Sequence, residues 1–438
     1  MAMRHYLFLP TLAAFATTLL ADDVVFSKDV APIIYQNCTG CHRPGEAAPF
    51  SLISYEDAAK RGRLLRSVVE RRQMPPWKAD ASTHAFADER RLTDEQIGVI
   101  QRWVEAGMPE GDAAELPALP QFPAGWQLGE PDLIVEMPEG FTVPADGPDI
   151  YRNFVIPIAL PEDKWIRAVE LRPSARPVFH HVLYMTDASG ASRRADEADP
   201  LPGWSGGMAA FILGGGSLGG WAAGAQPHLL REGLAMPFRK GSDLVLQCHF
   251  HPVGVEMTEK AVVGLYFASS APERQMVSIQ LPPVFGRFSG VNIPPEEADY
   301  RKSDEFVLPV DIEGISIGAH AHYIGKTMKM TAIRPDGAIE TLLSISDWDF
   351  AWQDQYHFKE FVSLPRGTKI RAEVSWDNSS ANPRNPSNPP VRVTWGEESK
   401  DEMGSITLRV VARNEADRAQ LEAAVRSHLL RSILAGIR

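Results

Sequence analysis

A chain of 438 residues is too long for one ordinary core, so two or three domains are expected. An apolar share of 44% with a charged share of 23% is that of a globular protein and excludes bulk disorder. A formal charge of -12 at pH 7 argues against a nucleic-acid-binding surface.

Residues 1–21 read as a signal peptide: Arg4 and His5 give a short basic start, Tyr6 to Leu20 an apolar run, and Ala21 a cleavage residue. Leu19 stands where a small residue is preferred, so an uncleaved anchor is the alternative. The run is short for a membrane span and no later stretch qualifies. The expectation is an exported bacterial protein, periplasmic or secreted, with no membrane span after cleavage. The cysteines are Cys38, Cys41 and Cys248, which leaves no spare pair for a stabilising disulfide.

Residues 22–110 read as a small helical domain. Lys28 to Gln36 leads into Cys38-Thr39-Gly40-Cys41-His42, the Cys-x-x-Cys-His pattern of covalent c-type haem attachment. Two thiols bond the porphyrin edge and the adjacent imidazole of His42 is placed to ligate the iron. Ser54 caps a second helix carrying Leu64, Leu65, Val68 and Val69. Thr93 and Gln96 form a capping box before Ile97, Ile100, Trp103 and Val104, and Gly107 ends that helix. A second axial ligand is needed. Met74, in a stiff Met-Pro-Pro-Trp segment, is the first candidate and His84 the second. The layout is that of a cytochrome c-like domain with one covalent haem.

Residues 111–130 are a proline-rich linker. Short β runs then follow: 153–160, 164–172, 178–185, 244–251, 262–268, 314–321, 327–333, 368–376 and 405–411. They predict two all-β sandwich or jelly-roll-like domains, 131–275 and 276–412, behind the small all-α one. Gly203 to Gln226 reads as a glycine-rich loop, and residues 413–438 as a helix with Leu421, Val425, Leu429 and Leu430 on one face.

The β region holds three histidine pairs among twelve histidines: His180-His181, His249-Phe250-His251 and His320-Ala321-His322. Residues i and i+2 of a strand share a face, so His320 and His322 can chelate one ion. His249 and His251 also share a face, and spacing alone does not choose between them. Adjacent His180 and His181 can reach one metal only at a bulge or strand end. Imidazoles suit copper, zinc, iron and nickel. The isolated His228, His357 and His428 read as structural.

Residues 130–412 resemble the copper type II, ascorbate-dependent monooxygenases, the class of peptidylglycine α-hydroxylating and dopamine β-monooxygenases. The resemblance rests on four segments in order: Val178-Phe179-His180-His181-Val182, Leu246-Gln247-Cys248-His249-Phe250-His251-Pro252, Ala319-His320-Ala321-His322-Tyr323-Ile324-Gly325 and Asp401-Glu402-Met403-Gly404. It implies two copper ions per chain, one in each of two jelly-roll-like domains that face across a solvent-filled cleft. His180, His181 and His249 would hold the electron-storing copper, and His320, His322 and Met403 the copper where oxygen is activated. His251 matches a residue the family does not use as a ligand. The peptide enzyme's carboxylate-binding Arg and Tyr are replaced here by Gly318 and Thr407.

The expected function is hydroxylation of a C–H bond of an unknown small organic substrate with O2. The haem would relay electrons from a periplasmic donor or an ascorbate-like reductant. An aromatic or apolar substrate, held by the loops 203–226 and 346–356, is expected rather than a glycine-extended peptide. The alternatives are a non-catalytic haem–copper electron-transfer or copper-binding protein, and a structural β-sandwich tethered to a cytochrome.

Overall fold

The computed structural model describes residues 24–44, 46, 48–81, 84–87, 89–122, 125–205, 216–222 and 225–436. The expected signal peptide and much of the 203–226 loop lie outside the described residues. By contacts the chain divides into two units. The first draws on residues up to 43, 50–71 and 92–120, the second on 44–49, 72–91 and 121 onward.

Every named element of the first unit is helical. A π turn, Phe26–Val30, runs into α1 (Ala31–Asn37), and α2 (Tyr55–Lys60), α3 (Gly62–Glu70) and α4 (Asp94–Glu105) follow. Ser54 Oγ accepts from the Asp57 N–H at 3.2 Å and opens α2. The capping box forms as expected: the Gln96 N–H donates to Thr93 Oγ1 at 3.2 Å, and the Thr93 N–H to Gln96 Oε1 at 2.9 Å. The core gathers Phe26, Val30, Ile34, Leu52, Leu65 and Trp103. Leu64, expected on the buried face, is exposed, because the chain breaks at Arg61 between α2 and α3 and turns that face to Leu65 and Val69.

Residues 72–91, expected in the first domain, belong to the second unit. The reason is apolar: Phe86 is buried in the core of the second β body and Trp77 packs against it. Phe86 stacks on Phe358 with centroids 5.4 Å apart, and Trp77 meets Tyr356 edge-on at 5.0 Å.

The rest of the second unit is β, in two bodies. The first holds β1 (Leu133–Glu136), β2 (Phe141–Val143), β3 (Ile150–Ile156), β4 (Lys164–Arg172), β5 (Phe179–Asp187), β6 (Trp204–Ser205), β7 (Gly216–Ala222), β8 (Met236–Phe238), β9 (Asp243–Phe250), β10 (Met257–Glu259) and β11 (Val262–Phe267). One sheet runs β1-β11-β4-β8, the other β6-β3-β9-β5-β7. Ile166, Leu171, Val263 and Leu265 from the first sheet share one core with Phe154, Leu246, Phe250 and Val182 from the second, which makes the body a sandwich.

The second body holds β12 (Met276–Leu281), β13 (Asn292–Ile293), β14 (Tyr300–Val307), β15 (Ile312–Ala321), β16 (Gly325–Ile333), β17 (Ile339–Ile345), β18 (Gln355–Leu364), β19 (Lys369–Trp376), β20 (Val393–Thr394) and β21 (Gly404–Ala412). Its sheets are β12-β21-β15-β18 and β14-β19-β16-β17. They close on a core of aliphatic side chains with Trp348, Trp376 and Phe358. The C-terminal helix Arg418–Gly436 buries Leu421 in this core, while Leu430, nine positions on, is exposed. No helix among the described residues is long and apolar enough to cross a membrane.

Candidate metal centres

His180 and His181 stand at the start of β5. The β5·β9 register passes from Phe179↔Phe250 to His181↔His249, so β5 carries one extra residue there. This bulge lets two neighbours in sequence aim at one point. β9 delivers His249 to the same place. The Nδ1 atoms of His180 and His181 are 3.1 Å apart, and those of His249 and His181 3.2 Å apart. Among the described residues this is the group of three with ligand atoms all within 4.8 Å of one another. His251 stays out of it: the side chain is exposed and donates from Nδ1 to Asp149 Oδ1 at 2.7 Å.

Burial drives the imidazoles of His180 and His181 neutral. It pushes the His180 pKa down to about 4, with the neighbouring His249 adding to the effect. His181 falls well below its ordinary value for the same reasons. Three imidazoles turning nitrogens toward one point are what a transition metal needs. His249 is almost wholly buried and stacks flat on Tyr151, centroids 4.3 Å apart at 12°. Asp149 Oδ2 lies 2.9 Å from His249 Nε2, an ion-pair distance without the alignment of a hydrogen bond. Burial alone would raise the Asp149 carboxyl. Interactions with His249, His251 and Ser399 outweigh it and hold the group well below the usual carboxylate range. A carboxylate behind a ligand imidazole fixes the ring and raises its basicity.

His320 is the next-to-last residue of β15, His322 lies just beyond the strand, and Met403 directly precedes β21. The register Ala321↔Gly404 sets the methionine beside the pair. His320 Nδ1 lies 2.6 Å from Gln353 Oε1, and His322 Nδ1 lies 3.1 Å from the Asp401 carbonyl. An oxygen acceptor fixes the proton on Nδ1, so Nε2 of each ring is left with its lone pair. Burial first pushes these pKa values down, to about 4 for His320 and about 3 for His322. His320, His322 and Met403 line one cavity of about 670 Å³ together with His181. Two imidazoles and a thioether form a soft donor set that favours Cu(I).

Glu402 holds this corner together. Its buried carboxyl accepts from the N–H groups of His322 at 2.9 Å, Ile324 at 2.8 Å and Met403 at 3.2 Å, and from Trp376 Nε1 at 2.9 Å. Burial nevertheless pushes its pKa up to about 8, against the pull of those donors.

The two histidine groups are neighbours. Phe350 stacks on His180 at 5.0 Å and meets His322 at 5.6 Å. One phenyl ring thus touches both groups, while His181, His320, His322 and Met403 border one cavity.

In the first unit, Cys38 caps the C-terminus of α1, and Cys41 and His42 follow in a tight turn, each N–H donating to the Cys38 carbonyl at 3.1 and 2.9 Å. His42 Nδ1 donates to the Phe50 carbonyl at 3.1 Å, which leaves Nε2 as the lone-pair nitrogen. Neither Cys38 nor Cys41 is in a disulfide, and burial pushes the Cys38 thiol up to about 12. Two cysteines outside any disulfide and an oriented imidazole fit thioether attachment and axial ligation of haem. Met74 lies in the 72–91 segment of the second unit. His84, in the same segment, is 3.1 Å from Glu340 and edge-on to Phe358 at 5.9 Å.

The sequence patterns did not single out Asp149, Tyr151, Phe350 or Glu402. Phe350 had a signal through its place in the 346–356 loop, and Glu402 through its place in the Asp401–Gly404 segment. Asp149 and Tyr151 lie far along the sequence from the histidine they touch and had none.

No protein-family model matches the chain, and no curated protein does. Among solved structures it is similar to PNGF-II, with TM-score 0.26 and 9% identity over 64% of this chain. This chain spans 65% of PNGF-II, under two thirds of its length. It is also similar to the major capsid protein P2 of bacteriophage PM2, with TM-score 0.26 and 9% identity over 64% of this chain and 97% of that one. For N-glycanase F the values are 0.27 and 9% over 65% and 96%. Likenesses at these TM-scores carry no argument about fold or activity.

Proposed function

We propose that this chain is an exported copper-dependent monooxygenase that hydroxylates a C–H bond of an organic substrate with O2, its electrons relayed through a covalent haem c. The observation that carries the reading is the pairing of two different donor sets around one phenyl ring: His180, His181 and His249 on one side, His320 and His322 with Met403 on the other. Three imidazoles suit an ion that changes oxidation state, and a thioether with two imidazoles suits one kept reduced for oxygen.

When bound, two copper ions would supply the two single electrons and the oxygen chemistry that a hydroxylation needs. The chain's own residues do the rest. Asp149 and Tyr151 fix the plane of His249. Gln353 and the Asp401 carbonyl hold protons on Nδ1 of His320 and His322 and so direct Nε2 outward. Phe350 packs against a histidine of each set. The cavity beside His320 and Met403 receives the substrate. In the first unit, Cys38 and Cys41 would tether the haem and His42 would ligate its iron.

Metal analysis of the purified protein, joined to a screen for substrate-dependent oxygen uptake with a reductant, tests the reading. Two coppers and one haem per chain with oxygen uptake are expected. A loaded protein that consumes no oxygen with any reductant would favour the non-catalytic electron-transfer alternative.

A further inference from the structure

Alternate residues of β21 face the cavity: Met403, just ahead of the strand, then Ser405, Thr407 and Arg409. The intervening Ile406, Leu408 and Val410 point the other way, into the second core. The cavity therefore has a metal-binding end at Met403 and a cationic end at Arg409. Among the described residues no carboxylate and no hydrogen-bond acceptor pairs with Arg409. The side chain is half-buried, and burial lowers the guanidinium's pKa.

The neighbours of Arg409 add no negative charge. His357 is under its influence and stacks on His228, centroids 3.9 Å apart. Gly219 faces the guanidinium; a Cβ there would lie 3.6 Å from Nη2, so the absent side chain keeps space open. Arg167 lines the same cavity with its Nε buried and without an acceptor. The lining carries two acids, Glu397 and Asp354, and Asp354 is already paired with Arg90 at 2.5 Å. A partly buried cation without an anion costs stability, and an anionic ligand in the cavity would offset that cost.

Midway between the ends, polar groups wait as well. Ser405 Oγ is buried without a partner, and Thr407 Oγ1 accepts from Gln280 Nε2 at 3.3 Å. Leu183, Leu218 and Trp221 line the cavity with apolar surface. Six residues of strand separate Met403 from Arg409, about 20 Å between Cα atoms. A compact acid cannot touch both.

We propose that the cavity binds an extended organic anion, its charged group held by Arg409 and its apolar body laid along β21 toward His320 and Met403. The assignment of the far end as the place of oxidation rests on the proposed function; the anion subsite stands without it. Arg409 is thus a binding residue, replacing on a different strand the cation absent at Gly318.

Calorimetric titration of the full-length protein with octanoate, octyl phosphate, 1-octanol and acetate tests this. Octanoate or octyl phosphate should bind about 10- to 100-fold more tightly than octanol, the worth of a hydrogen bond to a charged group. The order of those two assigns the head group. Acetate should bind weakly, because it lacks the body. Arg409→Met should bring both anions to the octanol level, and Arg409→Lys should keep part of the preference. The Arg409→Met protein should melt no lower than the parent, because an unpaired cation is removed.

Equal binding of octanoate and octanol would overturn the proposal. So would undiminished octanoate binding by Arg409→Met, or a melting temperature several degrees lower in that variant, which would make Arg409 structural. The titration needs neither copper nor oxygen. Absent copper with intact anion binding would sink the oxygenase reading alone.

Discussion

The ring of Phe350 stacks on His180 with centroids 5.0 Å apart and an interplanar angle of 26°. The same ring meets Tyr323 at 4.9 Å and His322 at 5.6 Å, so it is a wall shared by both histidine groups. Its side chain is 5% exposed. Phe350→Ala should therefore cost about 3–5 kcal/mol, the usual loss for emptying a buried aromatic site. Denaturant unfolding of the metal-free protein measures it. A loss under about 1 kcal/mol would mean that the ring is not packed as described.

Copper should bind at two ions per chain in separable sites. His249→Ala should empty one and His320→Ala the other, while His251→Ala keeps both. Asp149→Asn should weaken the first site by about 10- to 100-fold, as loss of the carboxylate behind a ligand imidazole does. Copper titration of each variant checks this. If His251→Ala empties a site and His249→Ala does not, the ligand set is wrong.

How much of this was legible in the sequence follows from what each residue does locally. The strands 164–172 and 327–333 were readable because period-two patterns and β-branched residues mark them. The strand β7 was not, because Leu218 and Trp221 are diluted by glycines that lower strand propensity; its pairing with β5 creates it. The choice between His249 and His251 was closed to spacing alone; in the fold His249 is buried beside His180 and His181, while His251 is exposed and bonded to Asp149. Arg409 carried no motif. It matters because of what surrounds it, and a one-dimensional pattern holds no such information.

One covalent haem should be present, in a low-spin c-type spectrum when reduced. Met74→Ala should change the axial ligation seen in the visible spectrum. His84→Ala should not, because that imidazole is engaged by Glu340 and Phe358. The opposite pattern would transfer the ligand role to His84.

The metal-free protein should be most stable near neutral pH. The pKa values of His180, His320 and His322 are pushed down to about 4, 4 and 3 from 6.5, by burial first. Below 6.5 the unfolded chain takes up protons that the folded chain refuses, so stability falls as pH drops toward 4. Glu402 acts in the opposite sense. Its folded pKa is raised by burial to about 8 from 4.5, so its contribution is full below 4.5 and is lost as pH rises through 8. Urea midpoints between pH 4 and 9 should trace a maximum, and Glu402→Gln should flatten its alkaline side. A midpoint that rises steadily to pH 9 would contradict this.

The 72–91 segment has a practical meaning for dissecting the protein. It leaves the helical unit, seats Phe86 and Trp77 against Phe358 and Tyr356, and pairs its backbone with the second β body through the Asp80 N–H to the Ser344 carbonyl at 2.7 Å and the Ala87 N–H to the His357 carbonyl at 2.7 Å. A cut at the proline-rich linker, the obvious place in the sequence, would separate the β bodies from a piece of their own interior. A gene fragment beginning at residue 121 would yield a protein with an open apolar trough beside β18, prone to self-association. A separately supplied peptide spanning 72–91 should fill that trough and restore solubility, much as a missing strand complements an incomplete sheet.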